Sequence, residues 1–208
     1  MSRVGNNVVA VKSAKVVSVV LHPFVMPIYV LLFLFSGNSM FAVLPLATKL
    51  YCLLVTGFSL MLVPLLSLPL FKRFRLIKSY SLDENQERVY PILVTVVFAF
   101  VGFWLLRLAA YTHVVQQLYL VLVLLLSVFS VITLRWKISM HLTAIGGACG
   151  FLMVLGMKYP GDMRGAFVAM LLLAGLLATC RLYLEKHTPA QVYAGFLLGF
   201  LVVFGILI

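Results

Sequence analysis

The fold class this sequence predicts is all-α: a polytopic transmembrane bundle of six or seven helices, forming a single membrane domain over residues 1–208. Three observations carry that expectation. Hydrophobic residues make up 64% of the chain and charged ones only 10%, with a mean hydropathy of +1.16, so a water-soluble fold would expose large apolar patches. The 208 residues divide into apolar runs near the length of about 20 residues that crosses a bilayer as a helix, separated by short polar loops. Runs such as VLVLLLSVFSVITL do not alternate as barrel strands do, which leaves helices as the spanning structure.

Apolar segments extend from Val16 to Phe35, Leu50 to Phe71, Pro91 to Ala109, Val114 to Leu134, Met140 to Met157, Ala166 to Cys180 and Ala190 to Ile208. The first is interrupted by His22, Pro23 and Pro27. Proline inside a helix removes a backbone hydrogen bond, so this segment is expected to kink, re-enter or lie at the interface. Arg3, Lys12 and Lys15 precede it as in a signal peptide, but no A-x-A-like site closes the run, so it reads as uncleaved. The sixth segment is short unless it extends into the polar sequence that follows. Gly146, Gly147 and Gly150 on the fifth, with Gly195 and Gly199 on the last, permit close helix packing. Trp104 and Trp136 read as interfacial anchors. The nine methionines and sixteen phenylalanines read as lipid-facing or packing residues. Cys52, Cys149 and Cys180 lie in or beside apolar stretches with neither redox nor metal-ligand spacing.

The net charge of +11 sits in short loops rather than on an exposed helix or tail. That distribution points to anionic lipid headgroups and phosphate, and away from nucleic acid. Three polar clusters stand out: KSYSLDENQERVYP (Lys78 to Pro91), RWKISMH (Arg135 to His141) and RLYLEKHTPAQ (Arg181 to Gln191). One helical hairpin separates each from the next, so all three emerge on the same membrane face. If all seven segments span, that face also carries most of the Lys and Arg, which places it in the cytoplasm; if the first does not span, the balance nearly vanishes. Lys72, Arg73 and Arg75 read as solvated loop charges, His113 as a turn residue, and His22 as a residue of the kink outside the site. Arg107 is the one ionisable residue expected well inside a span.

A phosphate monoester is a dianion. Hydrolysing it takes cations on its nonbridging oxygens, an in-line nucleophile and an acid for the leaving oxygen. Arg181 presents a planar fork for two phosphate oxygens, and Arg88 with the Ser139 hydroxyl or amide can complete the cradle. His141 and His187 supply the imidazoles. Asp83, Glu84 and Glu87 are the nearest candidate metal ligands, and their loop position suggests plain solvation, so neither a metal nor a cofactor is expected.

The third cluster, C-R-L-Y-L-E-K-H-T-P-A-Q-V-Y-A-G-F-L-L-G, resembles the third signature of the type 2 phosphatidic acid phosphatase (PAP2) superfamily: Ser-Arg, five residues, His, three residues, Asp, then a glycine-bearing helix. Arg181 and His187 fall at matching positions, with Gln191 in place of the aspartate. Ile138-Ser139-Met140-His141 keeps the serine and histidine of the family's Pro-Ser-Gly-His motif without its proline and glycine. Arg88 stands for the arginine of the first motif, but Pro91 follows only after Val89 and Tyr90, and Ser81 occupies the lysine position. The resemblance spans about residues 78–199 and implies a core like that family's. It implies a metal-independent lipid-phosphate phosphatase, a phosphoric ester hydrolase cleaving a phosphomonoester or diphosphate on a membrane lipid. His187 would form a phosphohistidine, and His141 would act as acid and then base. Gln191 can fix the His187 tautomer but stabilises its charge less than a carboxylate, and Glu185 is a candidate substitute. The alternatives are an impaired relative that binds or transports phospholipid, or a small channel or transporter. The compact size agrees with a multi-pass protein of a bacterial inner membrane; nothing in the sequence fixes the oligomeric state.

Overall fold

The computed structural model describes residues 8–36, 39–80, 86–110 and 112–208. Among these there are helices and turns but no strand. The helices are α1 (Val8–Val20), α2 (Met26–Leu34), α3 (Leu46–Thr56), α4 (Val63–Arg73), α5 (Val89–Leu106), α6 (His113–Arg135), α7 (Met140–Lys158), α8 (Arg164–Tyr183) and α9 (Pro189–Leu207). Six helices are long and apolar enough to cross a membrane, one of them being the continuous helix Leu46–Arg73 formed by α3 and α4.

The first apolar segment is broken. α1 stops at Val20 and α2 starts at Met26, because Pro23 has no N–H to give to a continuing helix. The His22 carbonyl instead accepts from the amides of Val25 at 2.9 Å and Met26 at 3.2 Å, which closes a bend. Pro27 lies in the first turn of α2, where its missing donor costs nothing. Beyond α2 the chain reaches the opposite end of the bundle, where Phe41 packs edge-on against Tyr159, just past α7, at 5.1 Å. His22 and Phe41 therefore stand at opposite ends of the bundle, while α1 packs against α8 with Ala14 and Ser18 buried.

Between α3 and α4 the helix widens into a π turn over Gly57–Leu62. Such a turn re-aims side chains, and here it accompanies a polar contact in mid-bundle. The Ser59 hydroxyl lies 2.8 Å from that of Tyr119 on α6, and Tyr119 donates to the Thr56 hydroxyl at 3.0 Å. All three residues are fully buried. Gly102 on α5 makes the room, since a Cβ there would stand 2.4 Å from the Tyr119 ring.

The glycines expected to permit close packing form the α7–α9 seam. A Cβ on Gly199 would meet the Thr143 carbonyl oxygen at 1.9 Å, one on Gly146 the Phe196 carbonyl oxygen at 2.2 Å, and one on Gly195 the Ser139 carbonyl oxygen at 2.7 Å. Backbones approach this closely only where side chains are absent. The sixth segment does extend through Arg181, to Tyr183. Arg107 departs from expectation: it is the C-cap residue of α5, exposed, with its guanidinium over the Trp104 ring at 5.0 Å. The helix simply ends there, before the turn into α6.

Candidate active site

Alternating helix directions bring the starts of α5, α7 and α9 and the ends of α4, α6 and α8 to one end of the bundle. The ends are shaped locally. α8 closes in a Schellman motif: the Glu185 amide donates to the Leu182 carbonyl at 2.9 Å and the Lys186 amide to that of Arg181 at 3.2 Å. Glu185 takes the left-handed conformation there, at φ 50°, a position glycine usually fills. The reversal turns the next residues back toward α8's last turn, which holds Arg181. Thr188-Pro189-Ala190-Gln191 then starts α9 as a capping box: the Thr188 hydroxyl accepts from the Gln191 amide and the Gln191 Oε1 accepts from the Thr188 amide at 3.0 Å.

His187 sits between these two devices, beside an open depression lined by Glu185, Lys186, Thr188 and Gln191. Its Nδ1–H donates to the Lys137 carbonyl at 3.3 Å. A carbonyl only accepts, so Nδ1 holds the proton and Nε2 carries the lone pair. Burial first, then the charges of Arg181 and Arg88, hold its pKa down to about 4, against smaller upward pulls from the Lys137 carbonyl and the Gln191 side chain. Glu185, the candidate substitute for the family carboxylate, is exposed, and the acceptor that orients His187 is the Lys137 peptide oxygen.

His141, in the first turn of α7, donates through Nε2–H to the Ser18 carbonyl at the end of α1, at 3.1 Å. Arg88 is buried and directs Nη1 to the Ile138 carbonyl at 3.5 Å. Arg181 lies close enough to Arg88 and to both histidines for its charge to act on each. Ile92, Phe129 and Ile138 form a small apolar cluster beneath them. The six residues singled out from the sequence, Arg88, Ser139, His141, Arg181, His187 and Gln191, thus share one end of the bundle.

Two of them have tasks that their spacing did not reveal. Ser139 is fully buried; its hydroxyl caps α7 by accepting from the Leu142 amide, and its own amide donates to the Gln191 carbonyl at 3.1 Å. It fastens the α6–α7 linker to α9. Gln191 is the capping-box residue of α9 as well as a partner of His187. Glu87, expected to be solvated, is buried and accepts from the Lys78 amide at 2.7 Å, which ties the two ends of that loop. Asp83, Glu84 and Ser81 lie outside the described residues. Among the described residues no three His, Cys, Asp or Glu side chains are grouped to hold a metal ion.

Sequence reasoning left out His22. Its ring meets that of His141 edge-on with centroids 5.3 Å apart, and Arg181 acts on it electrostatically. The sequence leaves open whether the first segment spans, so parity alone does not place His22; in the structure the chain passes from His22 to the opposite end at Phe41 and returns through the helix Leu46–Arg73. His113 is exposed at the start of α6, as expected, and Lys72, Arg73 and Arg75 are exposed too.

The buried side-chain nitrogen and oxygen atoms left without a hydrogen-bond partner among the described residues are Ser18 Oγ, Thr133 Oγ1 and Arg181 Nε. All three belong to this end: Ser18 beside His141, Thr133 in the last turn of α6, Arg181 in the last turn of α8. Comparison of the chain with protein-family models, with curated proteins and with solved structures finds no match.

Proposed function

We propose that this protein is a lipid-phosphate phosphatase of the type 2 phosphatidic acid phosphatase kind, hydrolysing a phosphomonoester or diphosphate on a membrane lipid without a metal. The observation that carries the reading is the concentration of Arg88, Arg181 and the imidazoles where Arg181 Nε is buried without an acceptor. Two guanidinium groups held together repel, and a buried donor without a partner costs about 1–3 kcal/mol. A phosphate dianion relieves both, and the Arg181 fork suits two of its oxygens.

In this reading the His187 Nε2 lone pair attacks phosphorus and forms an N–P bond while the bond to the lipid oxygen breaks. His141, entering as the imidazolium with Nε2–H on the Ser18 carbonyl, gives its Nδ1 proton to that oxygen and later takes one back from the water that cleaves the N–P bond. One water is consumed, and lipid alcohol and inorganic phosphate are released. The Lys137 carbonyl does the orienting that the family assigns to an aspartate. It fixes the tautomer but, being uncharged, stabilises the imidazolium-like charge less. An apolar cavity lined by Phe24, Pro27, Leu122, Phe129, Met140 and Ala144 runs into the bundle from residues adjoining His22 and His141, which suits a substrate with hydrocarbon chains.

Phosphate release from a panel of lipid phosphates, in detergent with EDTA present, tests this directly. Wild type is expected to release phosphate, and His187→Ala and His141→Ala to lose release while staying folded. Gln191, with its amide oxygen in the capping box, favours one second reading: a protein that binds or transports phospholipid without cleaving it. Lipid-phosphate binding by well-folded wild type without release selects that reading.

A further inference from the structure

We propose that His22 is a further phosphate-binding residue, donating its Nε2–H to the same phosphate that Arg181 and Arg88 hold; the inference rests on the phosphatase reading above. The ring's two nitrogens differ in their surroundings. Phe24 N–H donates to His22 Nδ1 at 3.3 Å, so Nδ1 is the acceptor and the neutral ring carries its proton on Nε2. The first nitrogen is thereby occupied by its own bend, in the pattern of a side chain accepting from the amide two residues on. The second keeps its N–H, and no described residue accepts from it. The ring stands 5.3 Å from that of His141 and within the field of Arg181, so the ring stands beside the cationic cluster.

The same bend explains how an N-terminal segment comes to serve a site built from the other end of the chain. Pro23 breaks the helix, the His22 carbonyl closes the turn on Val25 and Met26, and the Ser18 carbonyl just before it receives His141 Nε2–H. Ser18 and His22 are one helical turn apart in sequence. One holds an imidazole of the site and the other supplies one. The Nδ1 contact serves the fold of the bend, whereas Nε2–H is not needed for it, and this separates a ligand role from a structural one.

Two substitutions exploit that separation. In His22→Asn the side-chain oxygen can still accept from the Phe24 amide, but the Nε2 donor is gone. In His22→Gln an amide N–H reaches near the Nε2 position. The probe is inorganic phosphate, titrated into full-length protein in detergent, with helix content and melting temperature followed alongside. Binding to His22→Asn is expected to weaken about tenfold, the scale of one hydrogen bond to a charged group, and binding to His22→Gln to stay within about threefold of wild type. Adding phosphate to wild type labelled with nitrogen-15 histidine is expected to shift the His22 Nε2 resonance, a readout that does not depend on either variant folding. Equal phosphate affinity in wild type and His22→Asn, equal losses in both variants, or a static His22 resonance overturns the inference. If wild type releases phosphate from lipid and one of those results is found, only His22 leaves the site; if wild type neither binds nor releases phosphate, the phosphatase reading falls with it.

Discussion

Two polar clusters among the described residues, one in mid-bundle and one at the site end, are finished to different degrees. In mid-bundle, Tyr119, Ser59 and Thr56 are fully buried and bonded to one another, with Gly102 shaped to the ring. At the site end, Arg181 Nε, Ser18 Oγ and Thr133 Oγ1 are buried with no partner among the described residues, and Arg88 and Arg181 act on one another. A closed cluster holds helices together; an open one is held by them and keeps donors and acceptors to spare. The first is expected to govern stability with little effect on turnover, the second the reverse.

Substitutions can break that division, and the largest expected effect is at the open cluster. Arg181→Lys keeps the charge but loses the fork, and kcat/KM for lipid phosphate is expected to fall by about 10²-fold with the melting temperature unchanged. A large loss of stability in that variant would make Arg181 a structural cation instead. Next is Gly102→Val at the closed cluster. The added side chain drives into Tyr119 and Ser59, and destabilisation of about 2–3 kcal/mol is expected in denaturation in detergent, with activity per folded molecule retained.

A smaller effect, in pH, sharpens the electrostatic side. With its pKa held down to about 4, His187 is neutral throughout the physiological range, the state that the proposed attack requires. The unfolded chain binds that proton near pH 6.5 and the folded chain only near 4, so the stability difference is fully present above about pH 6.5 and is lost as the pH falls through that window. Arg181→Gln is expected to move the His187 titration, followed by NMR, upward from about 4, though not fully to its ordinary value, because burial is the larger cause. The smallest effect is Tyr119→Phe, expected to cost about 1 kcal/mol of stability, the scale of one hydrogen bond between membrane helices, and no activity.

Much of the fold was legible in the sequence because bilayer thickness writes itself into hydrophobic run length: the later spans stand close to where the apolar segments put them. The parity of crossings brought Arg88, His141 and His187 to one end before any geometry was known. The rest was illegible for specific reasons. The break between α1 and α2 was signalled by Pro23, yet its product, a bend presenting His22 to His141, depends on packing against α7. The closed cluster was missed because Ser59 and Tyr119 are separated by 60 positions and meet through a π turn that no local pattern announces. Ser139 reads as a phosphate ligand from its hydroxyl and Gln191 as the partner of His187 from its place in the third cluster, but both are also the capping residues their helices require. The Lys137 carbonyl was invisible because every residue has one.

Acceptors supplied by the main chain shape how such a centre can change over time. His187, His141 and Arg88 are met by the carbonyl oxygens of Lys137, Ser18 and Ile138, so replacing any of those three side chains leaves the acceptor where it was. An alanine scan would leave all three acceptors in place, although Ile138→Ala would also open the apolar cluster that Ile138 fills, and only a change that moves the chain itself, such as proline in the α6–α7 linker, would reach the imidazole. A centre anchored this way can let its surrounding letters drift while keeping its geometry, and a search for a string of side chains has correspondingly little to hold on to.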